Sequence, residues 1–539
     1  MQMRFVCWIA VVLQLAMIPR LFAQNLQPNI LVILVDGIRR SELGCYGSTN
    51  MSTPNIDGLA THGLRFTDAY SAAPVEFESL AALSSGKHPT RLQRTESPNP
   101  SVQNPSHRVL TQVGPSFRLA RRSTLTGILS GSGYATADYA GLDLAKRPNP
   151  RPNLSVQTSR AIHFIEKNLQ GPWFVAVSLE TTSTAEMDAS VGILRKSLEV
   201  TGQSKNTLVI LTATHGAPYP PNLLQTASTA YQPLNGQQGY LHEGGIRVPL
   251  IISWPQFSQK GSVSHEMVVT MDFFATILAA SKGKLIPSQG HDGYNLLPLF
   301  QPTEKLPRDF LCWHYPHYAS TGSEPASAIR FGRFKLIQFY DSAREELFDL
   351  STDVGERRNL ADSNKAEFNR LRTRLELWKQ VQPALPPRPN PEFSAISKAS
   401  ANGVLVLPGR LAEPHGKLIR YEPQPHKNTV GYWANGEDWV SWRFDVSKAG
   451  LYEVEIQQGC GTGGPGSDMR LNVGDQSLTF VVQQTGHFQN FVTRKIGQIQ
   501  LEKGGSQSLE LRASTKRGGA VVDIRQIRLI PVKGRTTPL

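Results

Sequence analysis

The sequence predicts an α/β unit built on a mostly parallel sheet, followed by an all-β sandwich. From residue 29 to about residue 280, short apolar runs alternate with helical patterns. The run Ile30–Val35 is continuously apolar, which is typical of a strand buried on both faces. Beyond residue 392, apolar and polar residues alternate with period two, as in Val440–Val446. That alternation is typical of sandwich strands with one face in the core.

The elements of the first unit follow from these patterns. Buried strands are predicted at Ile30–Val35, Trp173–Leu179, Thr207–Thr212 and Val248–Ser253. Helices are predicted at Ser159–Asn168 and Thr184–Val200, and a further helix opens at Thr53-Pro54. Thr53 is expected to cap that helix with its hydroxyl, and proline is favoured in a first turn. Such strand–helix alternation predicts a sheet flanked by helices.

The pattern changes after about residue 300. Short strands at 327–331, 334–339 and 346–350, followed by a helix at 365–381, predict a small antiparallel α+β subdomain. This subdomain would close the first unit, residues 24–381. Residues 382–391 are rich in proline and predict a stiff linker, and the sandwich is predicted over 392–539.

Residues 1–23 have the pattern of a secretory signal peptide. Met1–Arg4 carries a positive charge, Phe5–Ile18 is apolar, and the small residue Ala23 ends the segment. We expect export to the periplasm or the extracellular space, and no transmembrane span after signal cleavage. A membrane anchor or a buried N-terminal strand is the alternative, although the apolar run is short for a span.

Three cysteines remain once the leader is removed, Cys45, Cys312 and Cys460. Their spacing fits neither a disulfide framework nor a zinc site. We therefore expect buried free thiols, with a single disulfide as the alternative.

The formal net charge of +13 favours a polyanionic partner. Arg4 and Arg20 contribute to it and would leave with the leader. The chain has no basic motif with interleaved aromatic residues, and an exported protein meets acidic polysaccharide more readily than nucleic acid. We expect an acidic polysaccharide as the partner, and no nucleic acid.

Several sequence blocks follow one another along the chain. They are Asn29–Asp36, Leu43–Gly47, Thr53–Asp57, Ser85–Arg91, Thr207–Gly216, Glu243–Pro249 and the closing segment 348–360. In this order they resemble the blocks of the type I sulfatases in the alkaline phosphatase superfamily. The resemblance covers residues 29 to about 385 and implies the sulfatase fold. It also implies descent from an arylsulfatase-like hydrolase of sulfated carbohydrates.

The resemblance further implies a divalent cation, usually calcium, held by two adjacent aspartates and by a later aspartate-asparagine or aspartate-histidine pair. Here Asp36 is followed by Gly37, and the later pair reads Thr214-His215. One carboxylate, one hydroxyl and one imidazole form a poor cage for a cation that takes six or more oxygen ligands. We expect Asp36 and His215 to be vestigial and no cofactor to be needed, with residual calcium binding as the alternative.

The resemblance also implies a cysteine, oxidised to formylglycine, that opens a Cys-x-Pro-Ser-Arg segment. Glu76 takes the place of that cysteine and Leu80 that of the arginine. A later lysine and histidine are replaced by Gly141 and Asp143, and the lysine before the Glu-Gly-Gly block by Gln238. Sulfate transfer needs an activated oxygen surrounded by positive charge. We therefore expect sulfatase catalysis to be lost.

Two enzymatic alternatives stay open. Glu76 could act as the nucleophile of a rebuilt sulfuric- or phosphoric-ester hydrolase. Glu76, Glu78 and Asp143 could instead converge as the carboxylates of a glycosidase.

In the predicted sandwich, Trp433, Trp439 and His487 are candidates for carbohydrate binding. Sugars stack on exposed rings, and a neighbouring acid such as Asp438 can bond their hydroxyls. The alternative is that the tryptophans pack in the core and that His487 is structural. We interpret the chain as an exported sulfatase-family pseudoenzyme that binds glycans or serves as a scaffold.

Overall fold

The computed structural model describes residues 27–93, 107–112, 119–143, 152–181, 183–217, 234–283, 290–319, 323–390, 393, 396–400, 402–422, 427–462 and 464–532. The predicted leader, residues 1–23, lies outside these residues.

The first unit contains both strands and helices. Its strands are β1 (Asn29–Leu34), β2 (Leu64–Phe66), β3 (Ala69–Tyr70), β4 (Val109–Leu110), β5 (Ala135–Tyr139), β6 (Trp173–Ser178), β7 (Thr207–Thr212), β8 (Leu250–Ser253), β9 (Ser262–Ser264), β10 (Val268–Val269), β11 (Phe310–Tyr315), β12 (Ala326–Phe331), β13 (Phe334–Phe339) and β14 (Glu345–Asp349). Its helices are α1 (Pro54–Thr61), α2 (Glu76–Ser85), α3 (Leu125–Gly131), α4 (Leu154–Lys167), α5 (Thr184–Val200), α6 (Glu243–Ile246), α7 (Asp272–Ser281) and α8 (Lys365–Val381).

A seven-stranded sheet forms the centre of this unit, in the order β5-β6-β1-β7-β8-β2-β9. The neighbouring pairs β5–β6, β6–β1 and β1–β7 are parallel, and so is the pair β2–β9. Strand β8 runs antiparallel to both of its neighbours. The predicted fold class, an α/β unit with a mostly parallel sheet, is confirmed. The strand predicted from Val248 begins two residues later and joins the sheet antiparallel.

Strand β1 is apolar from Ile30 to Leu34 because its alternate residues enter two different cores. Ile30 packs with Phe274 of α7 on one face of the sheet. Leu31 packs with Leu194 of α5 on the other face. Successive side chains of a strand point to opposite faces, so a strand covered by helices on both sides must be apolar at every position.

Two helix starts differ in detail from the prediction. Helix α4 begins at Leu154, a turn earlier than predicted, because the Asn153 side chain accepts the N–H of Val156 and caps it. Thr53 precedes α1 as predicted, but its hydroxyl donates to Asp57 instead of capping the helix. The predicted hydroxyl cap at Thr53 is therefore wrong, although Thr53 does occupy the N-cap position. The cap at Asn153 was overlooked.

A small antiparallel sheet follows, in the order β11-β12-β13-β14. Leu371 and Leu375 of α8 pack against Ile329 and Leu336 on one of its faces. The sequence patterns predict three of these strands and the helix. Strand β11 escaped prediction because its residues, Phe-Leu-Cys-Trp-His-Tyr, show no clear alternation.

A buried ionic network joins the small sheet to the central unit. Lys335 of β13 is 0% exposed and lies 2.8 Å from Glu243 Oε1 and 2.9 Å from Glu356 Oε1. The second oxygen of Glu243 accepts hydrogen bonds from Tyr70 at 2.7 Å and from Arg247 at 3.1 Å. Burial acts to raise the pKa of Glu243, but Lys335 and Arg247 outweigh it and hold that pKa below its usual value.

The C-terminal strands form two facing sheets. These strands, with the linker strand before them, are β15 (Arg388–Pro389), β16 (Ser397–Lys398), β17 (Leu405–Pro408), β18 (Glu413–His415), β19 (Arg420–Glu422), β20 (Thr429–Gly431), β21 (Trp439–Val446), β22 (Gly450–Gly459), β23 (Asp468–Val473), β24 (Gln476–Val481), β25 (Val492–Leu501), β26 (Gly505–Thr515) and β27 (Asp523–Pro531). One sheet runs β16-β21-β26-β23-β24 with β18 also on β21, and the other runs β19-β20-β27-β22-β25 with β17 on β27.

One core lies between these two sheets, which we call the C-terminal sandwich (β16–β27). Trp442 and Phe444 of β21 enter it from one sheet, and Val454 and Ile456 of β22 enter it from the other. All four are fully buried. The period-two alternation of the sequence marks these inward positions, as expected for packed sheets.

The proline-rich segment is bound to the first unit along its length. Strand β15 pairs antiparallel with β4. Gln112 donates to the Pro386 carbonyl at 2.6 Å, and the ring Nε2 of His314 lies 3.0 Å from the Leu385 carbonyl. The segment is therefore a docked strand and not a free spacer.

Cys312 and Cys460 are buried free thiols, as expected, and Cys45 is a half-buried free thiol. Among the described residues, no helix combines the length and the apolar character needed to cross a membrane.

Lys335→Met should strongly destabilise the fold, because Glu243 and Glu356 lose the cation that they share. Removing one partner of a buried ion pair costs about 3–5 kcal/mol. We expect the free energy of unfolding, from denaturant titration at pH 7, to fall by that order. The loss should shrink at pH 5, where a buried carboxylate can take up a proton. Lys196→Met removes the exposed partner of Glu199 and should change nothing measurable; equal losses for both variants would contradict the prediction.

Two buried histidines should make the fold sensitive to acid. Burial lowers the pKa of His88 and that of His314 to about 4. The unfolded chain protonates these rings near pH 6.5, so it binds more protons than the folded state between pH 6.5 and 4. Their contribution to stability is complete above pH 6.5 and is lost as the pH falls through this window. His88→Gln should reduce the slope of the unfolding free energy against pH by up to the equivalent of one proton, and His62→Gln, at an exposed position, is the control variant.

Candidate functional site

Asp36 and Thr214 meet at the carboxyl end of the central sheet. Strands β1 and β7 are parallel neighbours with Leu34 opposite Thr212, and each of the two residues lies two positions beyond its strand. The Thr214 N–H and hydroxyl both donate to Asp36 Oδ1, at 2.8 and 2.9 Å. The structure therefore brings this predicted pair together at the edge where α/β sheets bind their ligands.

His215 extends this pair into a hydrogen-bonded chain. Its Nδ1 lies 2.7 Å from Thr214 Oγ1 and 3.9 Å from Asp36 Oδ1. Because the Thr214 hydroxyl donates its only proton to Asp36, its contact with His215 requires an Nδ1–H donor. Asp36 Oδ2 is buried and has no hydrogen-bond partner among the described residues. One orphaned carboxylate oxygen thus remains where the resemblance places a cation.

The residues present do not fit a calcium ion. Gly37 stands at the position of the second aspartate, with φ of +92°, and a Cβ there would lie 2.5 Å from the Thr181 carbonyl oxygen. The backbone therefore excludes a side chain at position 37. In the part of the chain that the structure describes, no group of three or more His, Cys, Asp and Glu side chains could hold a metal. A hard cation needs six or more oxygen ligands, and this corner offers one orphaned oxygen.

Glu76 is half-buried and is the first residue of α2, at the position of the nucleophile. Glu78, in the same turn, is fully buried; burial and then this carboxylate raise the pKa of Tyr315. Carboxylates are favoured at the positive end of a helix dipole. The helix end that would attract an incoming sulfate is therefore occupied by two carboxylates of the protein itself.

We call the candidate site, at the positions of Asp36, Thr214, His215 and the first turn of α2, the cleft. Leu80 replaces the arginine of the resemblance and belongs to the core, not to the cleft. It is fully buried and clusters with Leu83 and Phe274. Ser79 also faces inward, where its hydroxyl accepts the N–H of Ala73 and donates to the Ala73 carbonyl. This side of α2 thus serves packing alone.

Gly141 and Asp143 lie in a loop that Asp138 of β5 holds closed. The Asp138 carboxylate accepts the backbone N–H of Gly141 at 2.9 Å and that of Asp143 at 2.7 Å. It also accepts those of Ala140 and Leu142, both at 3.1 Å. Gly141 has φ of +86°, which favours glycine, so a lysine at this position would be strained. A loop that would carry two cations is organised here around an acidic side chain.

Gln238 lies near the start of α2, because the N–H of Gly239 donates to the Pro74 carbonyl at 2.8 Å. It is half-buried. The structure thus gathers Gln238 and Glu76 on one side of the cleft, without a cation at either position.

Two arginines that the sequence patterns do not single out, Arg39 and Arg40, lie beside His215. They line a cavity of about 30 Å³. Burial, followed by the nearby Arg247, lowers the pKa of Arg40. The cavity has room for about one or two water molecules and not for a sulfated sugar.

Trp433 was wrongly predicted as an exposed platform for sugar. It is 0% exposed in the core of the C-terminal sandwich, and its Nε1–H donates to the Asp438 carbonyl at 2.9 Å. Asp438 is structural as well, because its carboxylate accepts the backbone N–H groups of Lys417 and Leu418 at 2.8 and 2.9 Å. The core interpretation of this tryptophan is the correct one.

Trp439 has both of its ring faces covered. His415 of β18 stacks on the ring at 3.8 Å between centroids, and Arg512 of β26 lies 3.7 Å from its centre. These two residues belong to the strands on either side of Trp439. A sugar could stack on this ring only after displacing one of them. His487 is half-buried and its Nδ1 accepts the N–H of Gln489, so its role in glycan binding stays a prediction.

The sequence patterns do not single out Asp138, Arg39 or Arg40, and only Asp138 lies in a recognisable pattern. Asp138 precedes two small residues, Ala140 and Gly141, with one residue between, and aspartate before such a segment is typical of a turn organised by its side chain. Arg39 and Arg40 gave no comparable signal, because a pair of adjacent arginines is most often a solvated surface.

Three family models match the chain. The model described as Sulfatase matches residues 28–153 and 176–283, and the one described as N-sulphoglucosamine sulphohydrolase, C-terminal, matches residues 237–382. A domain of unknown function, DUF5077, matches residues 421–531 within the C-terminal sandwich.

Human arylsulfatase A is 28% identical over 432 residues, which covers 62% of this chain and 83% of the relative. Among solved structures, Ps i-CgsB in complex with k-i-k-neocarrahexaose has a TM-score of 0.52 at 21% identity and covers 67% of this chain and 95% of its own. A second, in complex with its substrate D-glucosamine-2-N,6-O-disulfate, has a TM-score of 0.52 at 17% identity and covers 66% and 98%. At these identities the structural matches show a shared fold.

Thr214→Asp should destabilise the fold at neutral pH, because it places a second carboxylate beside that of Asp36. We expect a lower melting temperature at pH 7 and partial recovery at pH 5, where one carboxyl takes up a proton. Thr214→Asn, which has the same shape without the charge, is the matched control. Millimolar calcium should not rescue Thr214→Asp, because position 37 still lacks a ligand. A rise in melting temperature with calcium in the aspartate variant alone would contradict this prediction.

Proposed function

The chain belongs to the sulfatase family, and from this premise we propose that it is an exported member that binds sulfated or other anionic glycans without hydrolysing them. In this proposal residues 1–23 are a signal peptide, residues 24–381 form the sulfatase-like domain, residues 382–391 link it to the second domain, and residues 392–539 form that domain. The protein is thus a pseudoenzyme that keeps the fold of its relatives and uses it for recognition.

The observation that carries this proposal is the backbone at Gly37. Its left-handed φ and the Thr181 carbonyl leave no room for the carboxylate that a cation site would need there. A changed side chain alone could be compensated by another ligand nearby. A backbone that excludes every side chain at this position supports loss of the metal, and with it loss of the centre that activates the nucleophile.

The charges around α2 point in the same direction. Stabilising a departing sulfate requires donors and cations aimed at the developing negative charge. Glu76 and Glu78 instead occupy the first turn of the helix, and Asp138 accepts the backbone donors of the loop that carries Gly141. The first turn of α2 therefore opposes an incoming sulfate instead of stabilising it.

Glycan as the ligand class is supported by descent and by charge. Two structurally similar proteins bind saccharides in their solved complexes, one of them a disulfated glucosamine. The formal net charge of +13 favours an anionic partner at long range. Sulfated polysaccharide meets both conditions.

The purified chain without its leader should not turn over 4-nitrophenyl sulfate, with or without calcium. We expect its rate to equal that of Glu76→Ala and of buffer, because neither nucleophile nor metal is in place. The same preparation should be retained on immobilised heparin and eluted by salt, because attraction between charges is screened as ionic strength rises.

Metal-dependent turnover that disappears in Glu76→Ala would overturn the proposal in favour of the hydrolase rebuilt around Glu76. Turnover that persists in both proteins would overturn it too, and would direct the search to another nucleophile. Absence of both turnover and retention on heparin would remove the glycan-binding half of the proposal.

A further inference from the structure

A cavity of about 300 Å³ lies between the first unit and the C-terminal sandwich. The sandwich contributes Arg410, Tyr421 and Asn428 to its wall, and the first unit contributes the rest. Ligand pockets begin at about this volume and favour the interfaces between domains. None of the candidate residues described above lines this cavity.

The cavity adjoins the cleft without belonging to it. Tyr240, which lines the cavity, lies two residues after Gln238. Ser323, also in the wall, donates its hydroxyl hydrogen bond to the Gly239 carbonyl at 2.5 Å. The segment 236–247 therefore borders the cleft with one part and the cavity with another.

Aromatic rings form much of the cavity wall. They are Tyr240, Tyr318, Phe339, Tyr421 and the imidazole of His107. His107 stacks on Tyr318 at 3.6 Å between centroids, and the Tyr421 hydroxyl donates to Asn428 at 2.7 Å. Rings with polar tips, held in place by their neighbours, suit a sugar, which has both apolar faces and hydroxyl groups.

Arginines give the cavity its charge. Arg108, Arg344 and Arg410 line it, against the carboxylates Glu324 and Asp341.

Both carboxylates of the wall already have partners. Asp341 accepts from Tyr318 at 2.6 Å and lies 3.5 Å from Arg410, and Glu324 lies 3.1 Å from Arg344. The Arg108 guanidinium packs over the Phe393 ring and forms no ion pair with any residue that the structure describes. Arg344 also pairs with Glu346, outside the wall, at 2.8 Å. The positive charge of the wall that no described carboxylate neutralises is therefore that of Arg108.

We propose that this cavity binds one acidic sugar unit of a glycan, through its sulfate or carboxylate group. The inference rests on the proposed glycan binding and moves recognition from the cleft to the junction between the two units. The anionic group pairs with Arg108 and Arg410, one from each side of the junction, and the sugar ring packs against the tyrosines. Arginine suits this task because its planar donors match the oxygens of a sulfate or carboxylate.

Isothermal titration calorimetry with a sulfated heparin disaccharide tests this site, with neutral lactose as the ligand control. Arg108→Ala and Arg410→Ala should each weaken binding by about tenfold or more, as expected for loss of a charge-assisted hydrogen bond. Arg420→Ala is the matched control, because Arg420 is an exposed arginine of the same sandwich that does not line the cavity. Glu76→Gln tests whether the disaccharide binds in the cleft instead of in the cavity. Melting temperatures establish that each variant is folded. If Arg410→Ala disturbs the junction, Arg108→Ala still tests the site, because Arg108 is exposed.

The inference stands if the disaccharide binds, lactose does not, both cavity variants weaken binding, and Arg420→Ala and Glu76→Gln do not. Binding that is unchanged in the cavity variants but altered by Glu76→Gln overturns the inference and leaves the proposed function intact. If lactose binds as tightly as the disaccharide, the inference that the cavity recognises an anionic group is wrong. If neither the disaccharide nor immobilised heparin binds, the proposed function fails as well, and the two failures are thereby distinguished.

Discussion

The buried contact between Lys335 and the two glutamates Glu243 and Glu356 is the constraint on which the rest of the first unit depends. Ions so completely removed from water are tolerated only when each is paired and hydrogen-bonded, so the network must be complete or absent. Glu243 opens α6, and the glycines that follow it pack directly on Gly216, whose N–H donates to the Gly245 carbonyl. The network therefore sets the position of the segment that borders both the cleft and the cavity.

The cleft and the cavity share this scaffold but differ in charge. In the cleft, the first turn of α2 carries two glutamates and the loop after β5 closes on Asp138. In the cavity, arginines outnumber carboxylates and rings form the wall. Because the two sites lie on either side of the same segment, the proposed anionic glycan would meet negative charge at the first turn of α2 and positive charge at the cavity.

Much of this could be predicted from the sequence, and the exceptions have physical causes. Continuous apolar runs identified β1, β6 and β7 because strands buried on both faces are apolar over most of their length. Trp433 was misjudged because a ring beside polar residues looks the same in sequence whether its partner is a sugar or, as here, the Asp438 carbonyl. The cavity could not be predicted at all, since its residues come from segments as far apart as His107 and Asn428. Glu243 and Glu356 lie in blocks that resemble the sulfatase family. That resemblance does not reveal that both glutamates pair with Lys335.

The backbone at Gly37 has an evolutionary consequence. With the Thr181 carbonyl close to where a side chain would begin, restoring an acidic residue at this single position is blocked sterically. Under the proposed loss of the metal site, a return to metal-dependent chemistry would require the turn after β6 to retreat at the same time as position 37 changed. The conformation thus acts as a ratchet, because a single substitution at position 37 meets the Thr181 carbonyl.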